Sequence, residues 1–458
     1  MTPIFLRLLK REAVPRDESP CTPVGPHGQS PPQECRMKRT LMALMASAAL
    51  GVGVLLIGAG WSTVEASQPT SGKVIHKAPP QWGHDKGGLD PALQRSLDAA
   101  FEKSFQQSGV PGAIAAIRTP EGMWVSTRGV ADRATGEPMQ ADMHHRIGSV
   151  TKTFTATLLL QAADEGRLSL DDTIDQYIKG IPNGDEITLR QMANMSSGIA
   201  SYTLDEEWED EALANPKRAW TPEKLARIGI KDSPAFEPPG TGWQYSNTNY
   251  VLLGLVLQKV TGKQIGELYQ KEIIKPLHLK DTSFPNADRA LPKPYDHGYT
   301  LQGQSDGQLA DATHWTPTWS WTAGAMISTA DDMLVFGRAL GTGKGLLTPE
   351  RQAERLTSFL YGLPPNSPER AYGLGFVNQR GWIGHTGTIP GYNTTLYYNP
   401  ELQATAVVEV NNDVEVGNCP TAASAATDGA QDIPCTLPAV YIFGALSEEL
   451  GRPFALRR

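Results

Sequence analysis

The chain has 458 residues, of which 40% are hydrophobic and 20% charged, and a formal net charge of −8. That length and balance exclude a largely disordered polymer and allow one large two-lobed domain or several smaller ones. The acidic balance argues against nonspecific nucleic-acid binding, which needs a basic surface to displace counterions, so no nucleic-acid partner is expected.

Residues 1–36 are rich in Pro, Ser and Arg and show no periodicity. Met37-Lys38-Arg39 then leads into residues 40–61, which carry no charge, followed by small residues suited to cleavage after Ala66. A basic start, an apolar centre and a small-residue exit read as an export signal. The apolar stretch is also long enough to span a bilayer, which leaves an uncleaved membrane tether through residues 40–61 as the alternative. Either way the bulk of the chain is expected outside the cytoplasm, in the periplasm or the medium. Residues 1–66 thus form an N-terminal extension, and residues 67–90, without periodicity, a linker. Cys21 and Cys35 precede the cleavage point, leaving Cys419 and Cys435 to form a disulfide in an oxidising compartment. Closing so short a loop is worth about 3 kcal/mol.

From residue 91 onward the pattern is that of a folded domain, expected over 91–458. Apolar residues at helical spacing (Leu93, Leu97, Ala100, Phe101, Phe105) predict a helix over 93–105. Residues 112–117 and 123–130 read as a hairpin. Residues 151–163 are apolar on nearly all sides, and such a helix belongs in the middle of a protein. Residues 167–315 carry mostly helical pattern, including an apolar helix over 248–260. The acidic run Asp205-Glu206-Glu207-Trp208-Glu209-Asp210-Glu211 reads as a solvated loop or helix face. A strand over 323–329, a helix over 331–340, strands over 392–398 and 405–411, and a closing helix over 438–450 complete the chain. The predicted fold is α/β: an antiparallel sheet built from both ends of the mature chain, with flanking helices and an inserted all-α lobe over about 167–315.

Metal chemistry finds little support. There is no HExxH or CxxC, and the adjacent pair His144-His145 points to different sides of any helix or strand. Neither metal nor cofactor is expected. Gly341-Thr342-Gly343-Lys344-Gly345 lacks the spacing of a phosphate loop and reads as a turn.

The informative segment is Arg146-Ile147-Gly148-Ser149-Val150-Thr151-Lys152. Ser149 and Lys152, three apart at a helix start, share one face. A serine hydroxyl needs a nearby base, and a lysine serves as one when burial keeps it neutral. The helix N-terminus also offers backbone N–H groups to a developing oxyanion. A chain of this length holds about one such Ser-x-x-Lys by chance, so partners are needed. Tyr245-Ser246-Asn247 supplies a phenol able to relay a proton and an amide able to hold a carbonyl, although Tyr397-Tyr398-Asn399 repeats the pattern within strand sequence. His385-Thr386-Gly387-Thr388 opens the C-terminal strands: the glycine admits a substrate backbone, the hydroxyls can bind it, and His385 can supply a proton or positive field.

Ser-x-x-Lys, Tyr-x-Asn and His-Thr-Gly in this order resemble the penicillin-recognising serine hydrolases: D-alanyl-D-alanine carboxypeptidases, class C-type β-lactamases and related esterases. Asp164-Glu165-Gly166-Arg167-Leu168 and Tyr372-Gly373-Leu374-Gly375 are similar to that family as well, over roughly residues 90–415. The resemblance implies a β-lactamase-like fold, Ser149 as acylated nucleophile, Lys152 as proton relay and Tyr245 as general base. It implies an oxyanion hole of the Ser149 and Thr388 N–H groups, with Asn247, His385, Thr386, Gly387 and Thr388 binding substrate. His385 matches the secreted carboxypeptidase type, where most relatives have lysine. Such carboxypeptidases carry an arginine for the substrate carboxylate; Val377 stands in its place, leaving Arg380 as the nearby candidate. The expected activity is D-alanyl-D-alanine carboxypeptidase-like cleavage of cell-wall peptides by a monomer. An esterase or weak β-lactamase, or a penicillin-binding sensor with little turnover, are the alternatives. The partner would be a small peptide, ester or β-lactam substrate.

Overall fold

The computed structural model describes residues 88–285, 290–419 and 434–455. The export signal, the tether, Cys21, Cys35 and most of the linker lie outside the described residues. No helix among the described residues is long and apolar enough to cross a membrane.

Helix α1 (Pro91–Ser108) starts where the Asp90 carboxylate accepts the N–H groups of Ala92 and Leu93, has proline at its first position, and ends at Gly109 with φ 64°. Strands β1 (Gly112–Arg118), β2 (Met123–Asp132) and β3 (Glu137–Pro138) follow. A two-residue ladder joins β4 (His145–Arg146) to β7 (Ile327–Ser328), and another joins β5 (Tyr299–Thr300) to β6 (Ala310–Asp311). Strands β8 (Arg370–Tyr372), β9 (Val377–Gln379), β10 (Trp382–Ile389), β11 (Tyr392–Asn399) and β12 (Ala404–Val410) complete an eight-stranded sheet. Its order is β3-β2-β1-β12-β11-β10-β9-β8, antiparallel at every pairing. Strand β1 pairs β12 with Ala113 opposite Val410, so the sheet is assembled from the two ends of the domain, as the pattern predicts.

The central strands are buried on both faces. Ala113, Ala115 and Ile117 turn to one side, where α1 (through Leu97 and Phe101) and the C-terminal helix α7 (Pro438–Glu449, through Ile442, Phe443 and Leu446) cover them. Ile114 and Ala116 turn to the other side, against a second core. This is the period-2 alternation of a strand with two apolar neighbours. Burying a phenylalanine such as Phe101 contributes about 1.5–3 kcal/mol.

The second core is organised by α2 (Thr151–Asp164), which begins with the 3₁₀ turn Gly148–Val150 and buries every side chain from Thr151 to Ala162. Phe154 stacks on Phe336 of α6 (Ala330–Thr342) with ring centroids 3.6 Å apart. Between α2 and residue 315 lie α3 (Glu206–Ala214), α4 (Pro222–Lys231), α5 (Asn247–Thr261) and shorter helical turns. This stretch is not purely helical, because it also contains β5 and β6. The strand expected over 323–329 shortens to β7, since the chain first makes a 3₁₀ turn at Trp321–Ala323. In the segment 341–345, α6 ends at Thr342, Gly343 caps it in the left-handed region, and Lys344 and Gly345 form a turn.

Candidate active site

Ser149 sits on the 3₁₀ turn at the head of α2, and Lys152 one turn further on. Two glycines explain how β10 reaches this turn. A Cβ on Gly148, whose φ is +51°, would lie 2.6 Å from the Thr388 nitrogen. A Cβ on Gly387 would overlap the Ile147 carbonyl oxygen and lie 3.2 Å from the Ser149 nitrogen. The backbone approach brings the Thr388 amide beside the serine segment and leaves no room for a side chain between them.

Lys152 is fully buried, and its Nζ has three partners: Ser149 Oγ at 3.0 Å, Asn247 Oδ1 at 2.7 Å and the Ala323 carbonyl at 2.7 Å. Burial holds its pKa well below the usual lysine value. Tyr245 lies next to it, with the Lys152 nitrogen 4.8 Å from the centre of its ring. The Tyr245 hydroxyl is buried and makes no hydrogen bond among the described residues. Burial raises the phenol's pKa, and the neighbouring Ser149 hydroxyl works against that rise.

Asn247 is the first residue of α5. Its backbone N–H donates to Ser201 Oγ at 3.0 Å and its side-chain amide to Thr203 Oγ1 at 3.2 Å, which points its oxygen at Lys152. The amide expected to hold a substrate carbonyl therefore already has a partner, and Thr203 joins the site. Thr386 and Thr388, two apart on β10, line the cleft on one face, and Thr388 Oγ1 accepts from Asn393 Nδ2 at 3.1 Å. His385 is 3% exposed. Its Nδ1 is 2.5 Å from the Thr386 carbonyl and its Nε2 is 3.0 Å from the Tyr372 hydroxyl. Burial first, and the Lys152 charge second, push its pKa down to about 3. Both effects work against a charged ring, and so against the expectation that His385 supplies a positive field.

Arg380 does not reach the site. It occupies the β9–β10 turn at φ 52°, its N–H bonded to the Glu369 carbonyl at 2.8 Å, and its charge acts on the Glu369 carboxylate. Val377 does line the cleft, and three residues of extended chain carry Arg380 about 10 Å beyond it. The cation at the cleft wall is Arg370, on the neighbouring strand β8. It takes part in no ion pair among the described residues, and its charge bears on both Tyr245 and His385.

The other wall is aromatic: Trp208, Trp220, Trp315 and Trp319 line it, and Trp243, also at the cleft, stands 5.9 Å from Tyr372. Trp208 stands 5.9 Å from Trp220 and 5.7 Å from Trp319. The acidic run read as a solvated face is helix α3, capped by Asp205, and it turns Trp208, Glu209, Ala212 and Leu213 toward the cleft. One signal that points to this wall is the run Trp315-Thr316-Pro317-Thr318-Trp319-Ser320-Trp321, three indoles in seven positions. Apart from the cleft, Cys419 and Cys435 are joined as a disulfide, so their grouping with Glu415 offers no thiolate to a metal ion.

A serine and a desolvated lysine at the head of a buried helix, faced by a strand of an antiparallel sheet, define the class of serine hydrolases with the β-lactamase fold. The chain belongs to the beta-lactamase family, whose model matches residues 97–430. It is 26% identical over 330 residues to Protein flp of Staphylococcus aureus, covering 70% of this chain but only 64% of that protein's length. Its structure is similar to the D-stereospecific amidohydrolase of a Streptomyces species (TM-score 0.63, 34% identity, 70% of this chain and 94% of that one). It is similar too to the D-amino acid amidase of Ochrobactrum anthropi SV3 (TM-score 0.65, 25% identity, 78% and 99%).

Proposed function

We propose that the chain hydrolyses amide bonds on the carbonyl side of a D-configured residue bearing a bulky apolar side chain, through an ester on Ser149. The observation that carries this reading is the Ser149–Lys152 pair, 3.0 Å apart, at a cleft walled by tryptophans. The two D-specific amide hydrolases among the similar structures support the choice of bond and configuration.

The hydrogen bonds at Lys152 support one order of proton steps. A neutral lysine has two N–H bonds and one lone pair. The Asn247 oxygen and the Ala323 carbonyl accept the two hydrogens, so the lone pair faces Ser149. Ser149 Oγ attacks the carbonyl carbon while its proton passes to Lys152, and the new oxyanion is held by the Ser149 and Thr388 N–H groups. Burial favours the phenol of Tyr245 over its phenolate. It therefore gives a proton to the leaving nitrogen as the C–N bond breaks, and Lys152 restores it. Water then attacks the ester by the reverse proton route, freeing the acid and Ser149. Lys152 is the base in this scheme and Tyr245 the acid, the opposite order to that implied by the motifs.

A second reading is the D-alanyl-D-alanine carboxypeptidase-like activity that the motifs suggest. Arg370 supports it, as a cation at the cleft wall with no carboxylate partner among the described residues. Export through the signal at residues 37–66 and a monomeric state belong to the same proposal. The test is hydrolysis of D- and L-phenylalanine amide by the purified protein, with mass spectrometry of the peptide containing Ser149 after rapid quench. A D preference and an acyl adduct on Ser149 are expected. Undiminished turnover by Ser149→Ala would sink the reading. A long-lived penicillin adduct without amide turnover would instead make the protein a sensor.

A further inference from the structure

Strand β10 carries a histidine where a charged group is expected, and both ring nitrogens are engaged. The Thr386 carbonyl can only accept, so Nδ1, 2.5 Å away, carries a hydrogen. Nε2 faces the Tyr372 hydroxyl at 3.0 Å. Tyr372 is 2% exposed, and burial raises its pKa well above the ordinary phenol value, so it stays a donor. An imidazole with Nδ1–H and a lone pair on Nε2 satisfies both partners; an imidazolium would require the Tyr372 hydroxyl to accept instead and to turn its hydrogen toward the Tyr250 oxygen.

The charged neighbours reinforce this. Burial weighs most against a positive charge on His385, and Arg370 of β8, together with Lys152 of α2 whenever it holds the Ser149 proton, acts the same way. Tyr245 presents its ring at 6.2 Å, and Tyr372 stands edge-on to both Tyr245 and His385. Behind Tyr372 lie the Tyr250 hydroxyl, bonded to the Ala193 carbonyl at 2.7 Å, and the buried guanidinium of Arg355, whose charge opposes the rise in the Tyr372 pKa. None of these groups is a carboxylate that would favour imidazolium.

We infer that Tyr372 is a positioning residue: its hydroxyl locks His385 as the neutral Nδ1–H tautomer, so the third motif supplies shape and hydrogen bonding but no charge during acyl transfer. This rests on the proposed function only for its catalytic consequence. With His385 silent, the activity of the native protein shows no histidine titration. Removing the Tyr372 hydroxyl frees Nε2 and lets the ring charge at a higher pH, where its charge would oppose transfer of the Ser149 proton to Lys152.

The decisive measurement is nitrogen-15 spectroscopy of the histidine rings in the whole protein, with the His385 signals assigned by their loss in His385→Asn. The Nδ1–H tautomer is expected throughout about pH 5–9. An Nε2–H tautomer or an imidazolium at neutral pH would overturn the inference without any variant having to fold. In Tyr372→Phe the ring stays buried, so its pKa should rise from its depressed value without reaching the ordinary histidine value of about 6.5, and kcat/KM should begin to fall at a correspondingly higher pH than in the native protein. An unchanged ring titration and pH profile in that variant would also overturn it. The spectra do not depend on turnover, so activity surviving in Ser149→Ala would defeat the proposed function while leaving the tautomer assignment standing.

Discussion

Gly387 of β10 passes so close to the catalytic turn that a methyl group on it would sit 3.2 Å from the Ser149 nitrogen and overlap the Ile147 carbonyl oxygen. The contact is backbone against backbone, so neither side can rotate away. Gly387→Ala must therefore move β10 outward, and the Thr388 amide with it. Losing one oxyanion donor costs about 10²–10³ in kcat. The expected outcome is a fall of that size in steady-state turnover of D-phenylalanine amide, with a lowered Tm. Full activity would show that Thr388 does not serve the oxyanion.

Lys152 ties stability to pH. Its folded pKa is depressed by burial, so between that value and its unfolded value of about 10.4 the unfolded chain binds more protons. Native stability should therefore climb with pH through that window and lose this contribution as pH falls. Lys152→Met removes the climb and should cost about 10³-fold in kcat/KM. Chemical denaturation at a series of pH values checks the slope; identical slopes in the two proteins would place an ordinary lysine at this position.

Arg370→Ala should raise KM about tenfold for a peptide ending in a free carboxylate, the value of one charge-assisted contact of about 1.4 kcal/mol. The neutral amide should be unaffected. Arg380→Ala, on the far turn, should change neither. An equal effect of Arg370→Ala on both substrates would remove carboxylate recognition from its role.

The tryptophan wall makes a size prediction. Trp319→Ala should reduce kcat/KM for D-phenylalanine amide about 10–200-fold while changing D-alanine amide much less, because only the large side chain reaches the indoles. Parallel losses on both amides would mean that Trp319 only supports the fold.

Local signals in the chain are well matched by the fold and the site. Ser149 and Lys152 are three apart on one helix, so their meeting needs no long-range information. The helices and strands with unbroken apolar periodicity, such as α2 and β12, appear within a few residues of their predicted bounds. What stayed hidden depends on distant registers. Arg370 on β8 lines the cleft while Arg380 on the adjoining turn does not, and nothing in the local pattern prefers one to the other. Trp208 lies in an acidic run, and only the packing of Tyr202, Trp220 and Trp319 around it reveals an apolar wall. His385 reads as a charge donor until Tyr372, thirteen positions upstream, is seen to occupy its second nitrogen.

The junction of β1 with β12 has a consequence for synthesis. A ribosome delivers Ser149 and Lys152 long before it delivers the strands that close the sheet, and β10, which faces them, arrives only with the last part of the domain. Early translation products hold the nucleophile's sequence but neither the Thr388 amide nor the burial that lowers the pKa of Lys152. Reactivity is thus withheld from the growing polypeptide, and becomes available only when the two termini of the domain meet.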